Sequence, residues 1–180
     1  MTEKTGIIEN YHKLALGHMK KAEFDEAIGI YGKLLSLDPK FPKAWNNLGV
    51  IYKIQGNLEV AEAKFKRALK IDPKLVPSIS NLGNIYKLKG DYKKSLKYYH
   101  RAIKIDPKFA DAYNNLGVLY QAQGGLETAF KYYLQAIKIA PKFSDPYYNL
   151  SELLRGMGKI KEAEAMLKKA VRFDVQDTRS

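Results

Sequence analysis

The sequence predicts an all-α fold built from stacked helical hairpins, and three observations lead to this prediction. One pattern of residues recurs every 34 positions along the 180-residue chain. The apolar residues inside each copy follow a helical spacing. A glycine lies near the middle of most copies and a proline near the end. A fixed period of this length indicates supersecondary units that pack on their neighbours rather than one globular core.

The first half of each copy has the pattern of an amphipathic helix. In the second copy, Trp45, Leu48, Ile51 and Tyr52 lie at positions i, i+3, i+6 and i+7, which places them on one helical face. The leucine recurs in four copies and the glycine that follows it in three. These residues are Leu48, Leu82, Leu116 and Leu150, and Gly49, Gly83 and Gly117.

The second half of each copy predicts another helix, which packs back on the first. Ala61, Phe65 and Ala68 again lie on one helical face. Gly56 stands between the two helices, where glycine can adopt the left-handed conformation that ends a helix. Pro73 stops the second helix. Each copy is therefore expected to be a helical hairpin that buries its remaining apolar surface against the next copy.

The pattern resembles the tetratricopeptide repeat (TPR), whose consensus is W-x2-L-G-x2-Y, then A-x3-F, then P. The resemblance implies a right-handed α-solenoid, a superhelix of five antiparallel helix pairs. We expect one TPR domain over 8–177, with tails at 1–7 and 178–180. Its repeats are 8–41, 42–75, 76–109, 110–143 and 144–177.

The repeat pattern also predicts a set of buried aromatic residues and a weak first repeat. The expected buried residues are Trp45, Tyr52, Phe65, Tyr86, Tyr99, Tyr120 and Tyr133. In the first repeat His18 replaces a core tyrosine, and Gly29 and Gly32 lie inside a helix. Each such glycine costs about 1 kcal/mol relative to alanine. The repeat 8–41 is therefore expected to be the least stable.

Composition and motifs indicate a protein that is not an enzyme. The chain has no cysteine, which excludes disulfides, thiol catalysis and cysteine-bound metal. It contains no zinc-protease, nucleophile-elbow, phosphate-loop or dinucleotide motif, and its three histidines lack ligand spacing. We therefore expect no cofactor and no metal. No apolar run suits a signal peptide or a membrane span, so a cytoplasmic location is expected.

The net charge of +12 is concentrated in two repeats. Repeat 42–75 has seven basic and three acidic residues, and repeat 76–109 has eight and two. Many of these residues lie on second helices, which form the convex wall in TPR-like stacks. They are Lys66, Arg67, Lys70, Lys93, Lys94, Lys97, Arg101 and Lys104. This basic convex patch either keeps the protein soluble or docks anionic lipid or nucleic acid.

Four asparagines occupy one position of the first helix in consecutive repeats: Asn47, Asn81, Asn115 and Asn149. In TPR-like stacks the first helices line a concave groove. A primary amide donates and accepts hydrogen bonds, so a row of asparagines can pair with the backbone of an extended peptide. The alternative is that asparagine at this position is only solvated.

Flanking positions of the first helices are expected to set the selectivity of this groove. They are Lys43, Asn46, Val50, Asn84, Lys87, Asp111, Asn114, Val118, Tyr148 and Glu152. Basic residues dominate one end and acidic residues the other. A peptide of the opposite polarity would therefore be oriented by the groove.

One known type of TPR site does not match this sequence. TPR domains that bind chaperones hold a C-terminal carboxylate with lysine and asparagine in one repeat, asparagine in the next, and lysine and arginine in the third. In the frame starting at repeat 42–75, the matching residues are Asn46, Val50, Asn81, Asp111 and Asn115. None of the three possible frames carries the basic pair. We therefore do not expect a chaperone C-terminus as a partner.

These observations predict a non-enzymatic adaptor that binds an extended segment of a partner protein in its concave groove. A self-assembling scaffold is the first alternative, because Leu153, Val171 and Phe173 stand where a sixth repeat would pack. It would form homo-oligomers through the C-terminal end. The second alternative is the basic convex patch acting on anionic lipid or nucleic acid.

Overall fold

The computed structural model describes the backbone of residues 3–177 and the side chains of residues 4–174. Over these residues it contains ten α-helices and no strand. They are α1 (Glu3–Lys20), α2 (Phe24–Leu37), α3 (Pro42–Ile54), α4 (Leu58–Ile71), α5 (Val76–Leu88), α6 (Tyr92–Ile105), α7 (Ala110–Ala122), α8 (Leu126–Ile139), α9 (Ser144–Gly156) and α10 (Ile160–Asp177). The predicted all-α fold of helix pairs is confirmed.

The expected N-terminal tail at 1–7 differs from the structure, since α1 already begins at Glu3. The chain has no proline before α2 that would stop the helix from extending in this direction. Ile8 and Tyr11, further along the same helix, pack against the core of the first helices. Residues 178–180, the expected C-terminal tail, lie outside the described residues.

Contacts between helices divide the chain into two compact units, Met1–Ile85 and Tyr86–Ser180. In the first unit, α1 packs on α2, α2 on α3, and α3 on α4. In the second, α7 packs on α8 and α9 on α10, while α6 contacts α7 and α8 contacts α9. Within each unit, two helical hairpins therefore pack on each other, α1–α2 on α3–α4 and α7–α8 on α9–α10.

The turn inside each hairpin has the same backbone hydrogen bond in all five repeats. The N–H of Asn57 donates to the carbonyl of Tyr52 at 2.9 Å, and Gly56 between them has a φ of +79°. In the first repeat, Ala22 takes the position of this glycine with a φ of +59°. A side chain in this conformation is strained. This turn was not predicted from the sequence, although Ala22 lies one period before Gly56.

Glycine at the middle of the first helix lets the two helices of a hairpin approach closely. A Cβ atom added to Gly49 would lie 2.6 Å from Phe65 Cε1, and one added to Gly117 would lie 2.5 Å from Tyr133 Cε1. Phe65 and Tyr133 are almost completely buried. The ring of the second helix therefore fills the space that the glycine leaves open.

Only part of the predicted aromatic core is buried. Phe65, Tyr99 and Tyr133 are almost inaccessible to solvent, as expected. Trp45, Tyr52, Tyr86 and Tyr120 are half-buried instead, which corrects the prediction. These rings lie at the edge of the hairpins rather than between the helices.

Contacts at the hairpin edge explain why these four rings remain partly exposed. The rings of Tyr86 and Tyr98 stack with centroids 5.4 Å apart, and those of Tyr120 and Tyr132 stack at 5.5 Å. Lys64 Nζ lies 5.1 Å from the centre of the Trp45 ring and 5.9 Å from that of Tyr52. Aromatic rings with a polar group favour such positions, since one end packs and the other stays near water.

The aromatic residue that opens a repeat also binds the end of the preceding repeat. Trp45 Nε1 donates to the carbonyl of Pro39 at 3.0 Å. Tyr113 and Tyr147 donate through their hydroxyls to Pro107 and Pro141 at 3.2 and 3.0 Å. These bonds satisfy carbonyls that follow a helix end, where the backbone lacks helical partners.

Candidate functional site: the asparagine row

The four repeated asparagines, called here the amide row, lie on α3, α5, α7 and α9. Asn47, Asn81, Asn115 and Asn149 are each half-buried. Two of them belong to each compact unit. A half-buried amide can keep a hydrogen bond inside the protein while it presents other polar atoms to a ligand.

In the first unit, the amide row is part of a chain of polar contacts that joins neighbouring repeats. Asn81 Nδ2 donates to Asn46 Oδ1 at 3.2 Å, and Ser78 Oγ donates to the same oxygen at 2.9 Å. Asn46 Nδ2 in turn donates to Asn47 Oδ1 at 3.1 Å. Asn47 Nδ2 donates to the hydroxyl of Tyr31 at 2.7 Å.

The hydroxyl of Tyr31, the last group in this series of polar contacts, sets the direction of the hydrogen bonds. The hydroxyl of Tyr31 donates to Met19 Sδ at 3.6 Å, so it accepts from Asn47. Burial raises the pKa of Tyr31, and the bond from Asn47 lowers it by less. The hydroxyl therefore stays protonated at neutral pH and keeps the Asn47 amide in one orientation.

The second unit repeats the main contact of this arrangement. Asn149 Nδ2 donates to Asn114 Oδ1 at 2.9 Å. Asn114 lies one period after the Ser80 position and two after Asn46. In both units, an asparagine of the amide row thus donates to the asparagine that stands directly before the row position of the preceding repeat.

These contacts correct the role expected for Asn46 and Asn114. Both were predicted to lie at flanking groove positions, but only 8% of Asn46 and 6% of Asn114 is exposed. A buried amide requires hydrogen bonds inside the protein, and both residues find them in the next repeat. Through these bonds they orient Asn81 and Asn149 of the amide row. The hydrophilic character of asparagine concealed this burial in the sequence.

The other expected groove residues lie at or near the surface. Lys43, Asp111, Tyr148 and Glu152 are exposed, and 54% of Tyr148 is accessible. Val50, Asn84, Lys87 and Val118 are half-buried. Lys53, a further flanking position on α3, is also half-buried, and burial lowers the pKa of its ammonium.

Acidic groups gather on the first helices of the second unit. Asp111 is exposed overall, yet the atoms around its carboxyl desolvate it and raise its pKa, and the charge of Asp145 raises it further. Desolvation also raises the pKa of Asp145, with a further contribution from Asp174. A cavity of about 200 Å³ lies beside them, lined by Ser144, Asp145, Tyr148, Ala170, Val171 and Asp174. Carboxyl groups are therefore concentrated at this end of the candidate site.

All eight residues of the basic convex patch are exposed. Lys66, Arg67 and Lys70 belong to the first unit, and the other five to the second. Two of them form short ion pairs, Lys66 with Glu62 and Lys94 with Asp91, each at 2.7 Å. Arg67 lies over the Trp45 ring, 5.8 Å from its centre. Part of the positive charge is thus already compensated within the protein.

The described residues offer no place for a metal ion. No group of three or more histidine, aspartate or glutamate side chains within 4–174 has a suitable arrangement. No helix over the described range is long and apolar enough to cross a membrane.

Comparison with known proteins identifies the fold. Models of the tetratricopeptide repeat match residues 12–75, 83–124 and 108–174. The crystal structure of MamA has 26% sequence identity and a TM-score of 0.65, and the alignment covers 92% of this chain and 97% of that one. A thermophilic TPR protein of Thermus thermophilus has 21% identity and a TM-score of 0.84, with 96% and 94% covered.

A curated relative matches a shorter region. The photosystem I assembly protein Ycf3 of Cyanophora paradoxa is 37% identical over 65 residues, which cover 32% of this chain and 38% of that protein. The match thus spans well under half the length of that relative.

Helical hairpins with a repeated polar row on their first helices define a helical repeat protein of the protein-interaction class. The chain belongs to the tetratricopeptide repeat family. Ten helices correspond to about five repeats. Proteins of this family bind protein partners and generally act as non-enzymatic scaffolds.

Proposed function

We propose that this protein is an adaptor that holds an extended segment of a partner protein along the first helices of its repeats. The amide row contacts the backbone of that segment, and the flanking side chains select its sequence. The observation that carries this proposal is the orientation of the row by buried amides, at 3.2 Å in the first unit and 2.9 Å in the second.

The hydrogen bonds inside the protein leave Asn81 and Asn149 able to bind a ligand. Asn81 and Asn149 each use one N–H in the contact to Asn46 or Asn114. A primary amide has a second N–H and a carbonyl oxygen. These two groups match the C=O and N–H of a peptide backbone. Because the amide is held in place before binding, less side-chain entropy is lost on association.

The likeness to Ycf3 supports an assembly-factor role for this adaptor. The name of that relative describes an assembly protein, and the match lies within 65 residues. An adaptor that holds an extended segment would keep a subunit in place while its other contacts form. The flanking side chains would select which subunit is held.

Selection from a random peptide library tests the proposal. Displayed peptides of about 12 residues span roughly 40 Å when extended and are selected on the intact protein. Calorimetry then measures the binding of each selected peptide to the wild type and to Asn115→Ala and Asn149→Ala. Each substitution should weaken binding by about 0.5–1.5 kcal/mol, the net value of a hydrogen bond.

A matched control separates this effect from a general loss of an amide. Gln135 is exposed on α8, a second helix of the same unit, and Gln135→Ala should leave affinity unchanged. If no peptide is enriched, or if selected peptides bind the row variants as tightly as the wild type, the proposed function is wrong.

The outer face of α10 favours self-assembly as a second candidate function. Val171 is 57% exposed, and a cavity of about 350 Å³ is lined by Glu164, Leu167, Lys168 and Val171. The other two residues that motivated this alternative are covered, since Leu153 is buried and the Phe173 ring lies 5.4 Å from that of Tyr147. Light scattering of the wild type and Val171→Lys tests this candidate, and a concentration-independent monomer would exclude it.

A further inference from the structure

A second cavity, of about 190 Å³, lies on the first helices of the first unit. It is lined by His12, Lys43, Asn46, Asn47, Leu75 and Pro77 and is called here the His12 pocket. Asn47 is a member of the amide row, so a segment bound along that row passes this cavity. Its volume is sufficient for one side chain of the segment.

The charge of the His12 pocket is positive and uncompensated. No acidic residue is among the six that line it. Lys43 is exposed, and no carboxylate of the described residues forms an ion pair with it. Lys66 and Lys94, by contrast, each lie 2.7 Å from a carboxylate oxygen. The ammonium of Lys43 therefore remains available to an anionic group of a ligand.

His12 adds a second polar group without a partner. Its Nδ1 is buried and has no hydrogen-bond partner among the described residues. The ring packs edge-on against Phe41 with centroids 5.2 Å apart. Burial lowers the pKa of His12, and the charge of Lys43 lowers it further. A buried polar atom without a partner is unfavourable, and a bound anion would offset the field that disfavours the charged ring.

We propose that the His12 pocket binds the carboxylate of an aspartate or glutamate side chain in the segment that the adaptor holds. Lys43 supplies the opposite charge, and the apolar Leu75 and Pro77 contact the methylene groups of the acidic side chain. A single ammonium matches the single charge of a carboxylate better than the double charge of a phosphate. This inference rests on the proposed function and names one determinant of its selectivity.

Charge exchange at Lys43 tests the inference on selected peptides. Libraries of random peptides of about 12 residues are selected on the wild type and on Lys43→Glu. The wild type should enrich an acidic residue at one fixed position, and the variant should enrich lysine or arginine at the same position. Replacing that acidic residue by its amide should weaken binding to the wild type about tenfold, as expected for a charged hydrogen bond.

Three controls make the result specific. Lys33 is exposed on α2, so Lys33→Glu changes the net charge equally and should leave affinity unchanged. Peptides with an amidated C-terminus should bind as tightly as free ones, since the carboxylate comes from a side chain. The pKa of the His12 ring, measured by NMR, should rise when the acidic peptide binds and should not rise with its amide counterpart.

The possible failures are distinguishable. Peptides whose binding is weakened by Asn81→Ala, in the same unit as the His12 pocket, but that show no acidic preference or no response to Lys43→Glu, would overturn the inference and leave the adaptor function intact. Loss of affinity on C-terminal amidation would instead assign the pocket to a chain terminus. If no peptide binds at all, the adaptor function and this inference are both wrong.

Discussion

At the residue scale, side chains at equivalent repeat positions have different roles. Ala22 adopts the left-handed conformation that glycine adopts in the other four hairpin turns. Asn46 and Asn114 are buried although asparagine is usually exposed. His12 has a ring nitrogen that lacks a partner among the described residues. These departures concentrate in the first unit and mark the positions where single substitutions are most informative.

Ala22→Gly should stabilise the protein. The left-handed conformation costs an alanine about 1–2 kcal/mol, and glycine removes this cost. Part of the stabilisation is lost again because glycine makes the unfolded chain more flexible. The net increase in the free energy of unfolding should be about 0.5–1 kcal/mol, measured by urea denaturation. Gly56→Ala is the reciprocal control, because a Cβ there meets no atom within 4 Å, and it should destabilise. An unchanged stability in both variants would contradict this account.

Stability should fall as the pH falls below the ordinary pKa of histidine, about 6.5. The folded state lowers the pKa of His12, so the unfolded state binds more protons in this range. The contribution of His12 is fully present above about pH 6.5 and is lost as the pH decreases towards and below its folded value. His12→Phe keeps a ring against Phe41 and should reduce this loss. The raised pKa values of Asp111 and Asp145 have the opposite effect, since they stabilise the folded state as the pH falls. The wild type and His12→Phe both contain these carboxyls, so the difference between the two proteins reports on His12.

At the element scale, close packing inside a hairpin depends on a small residue in the first helix and a ring in the second. Gly49 faces Phe65, and Gly117 faces Tyr133. The caps at the starts of the second helices vary more between repeats than this packing does. Asn57 and Asp91 accept from backbone N–H groups at 3.3 and 3.0 Å. Glu23 and Gly125 lack such a bond at the start of α2 and α8. The interhelical contact is therefore more uniform than the helix ends.

Gly117→Ala should destabilise the protein, because the new Cβ would lie 2.5 Å from Tyr133 Cε1. Such overpacking of a core costs about 1–3 kcal/mol. Gly29→Ala is the matched control inside α2, where a Cβ meets nothing within 4 Å. It should stabilise the helix by about 0.5–1 kcal/mol. Thermal unfolding of both variants checks the two signs, and destabilisation by Gly29→Ala would contradict the packing argument.

At the scale of the whole molecule, the two compact units differ in both stability determinants and charge. The first contains the strained Ala22 and the helical Gly29 and Gly32. The second carries the acidic groups Asp111 and Asp145 and five residues of the basic convex patch. These differences lead to one prediction on local stability and one on electrostatic binding.

Hydrogen exchange should be faster in α2 than in the equivalent helix α4. Local opening requires less free energy where glycines and a strained turn weaken a helix. Mass spectrometry of peptic fragments measures both helices in one experiment. Equal protection of α2 and α4 would show that tertiary packing compensates for the glycines.

The basic convex patch should bind phosphates only if its charges act together. A double charge reversal, Lys97→Glu with Arg101→Glu, should then abolish binding to duplex DNA, RNA or anionic liposomes and leave peptide affinity unchanged. Reversal of Lys138 and Lys142, exposed in the same unit, is the matched control. Binding should weaken steeply with added salt. Absence of binding at low salt would identify the patch as a surface that only favours solubility.

The sequence by itself determined the period and the helical hairpins. These features depend on residues within one repeat, such as Gly49 and Phe65, so they are visible as a local pattern. The amide row was also predicted from its period alone. The left-handed turn at Ala22 could have been found in the same way, by comparing it with Gly56.

Only the tertiary structure decided which polar residues are buried and which stay partly exposed. Asn46 and Asn47 are neighbours in the sequence, but Asn46 is covered because Ser78 and Asn81, both in the next repeat, donate to its carbonyl. Burial is a property of contacts between repeats, and a pattern within one repeat does not contain it.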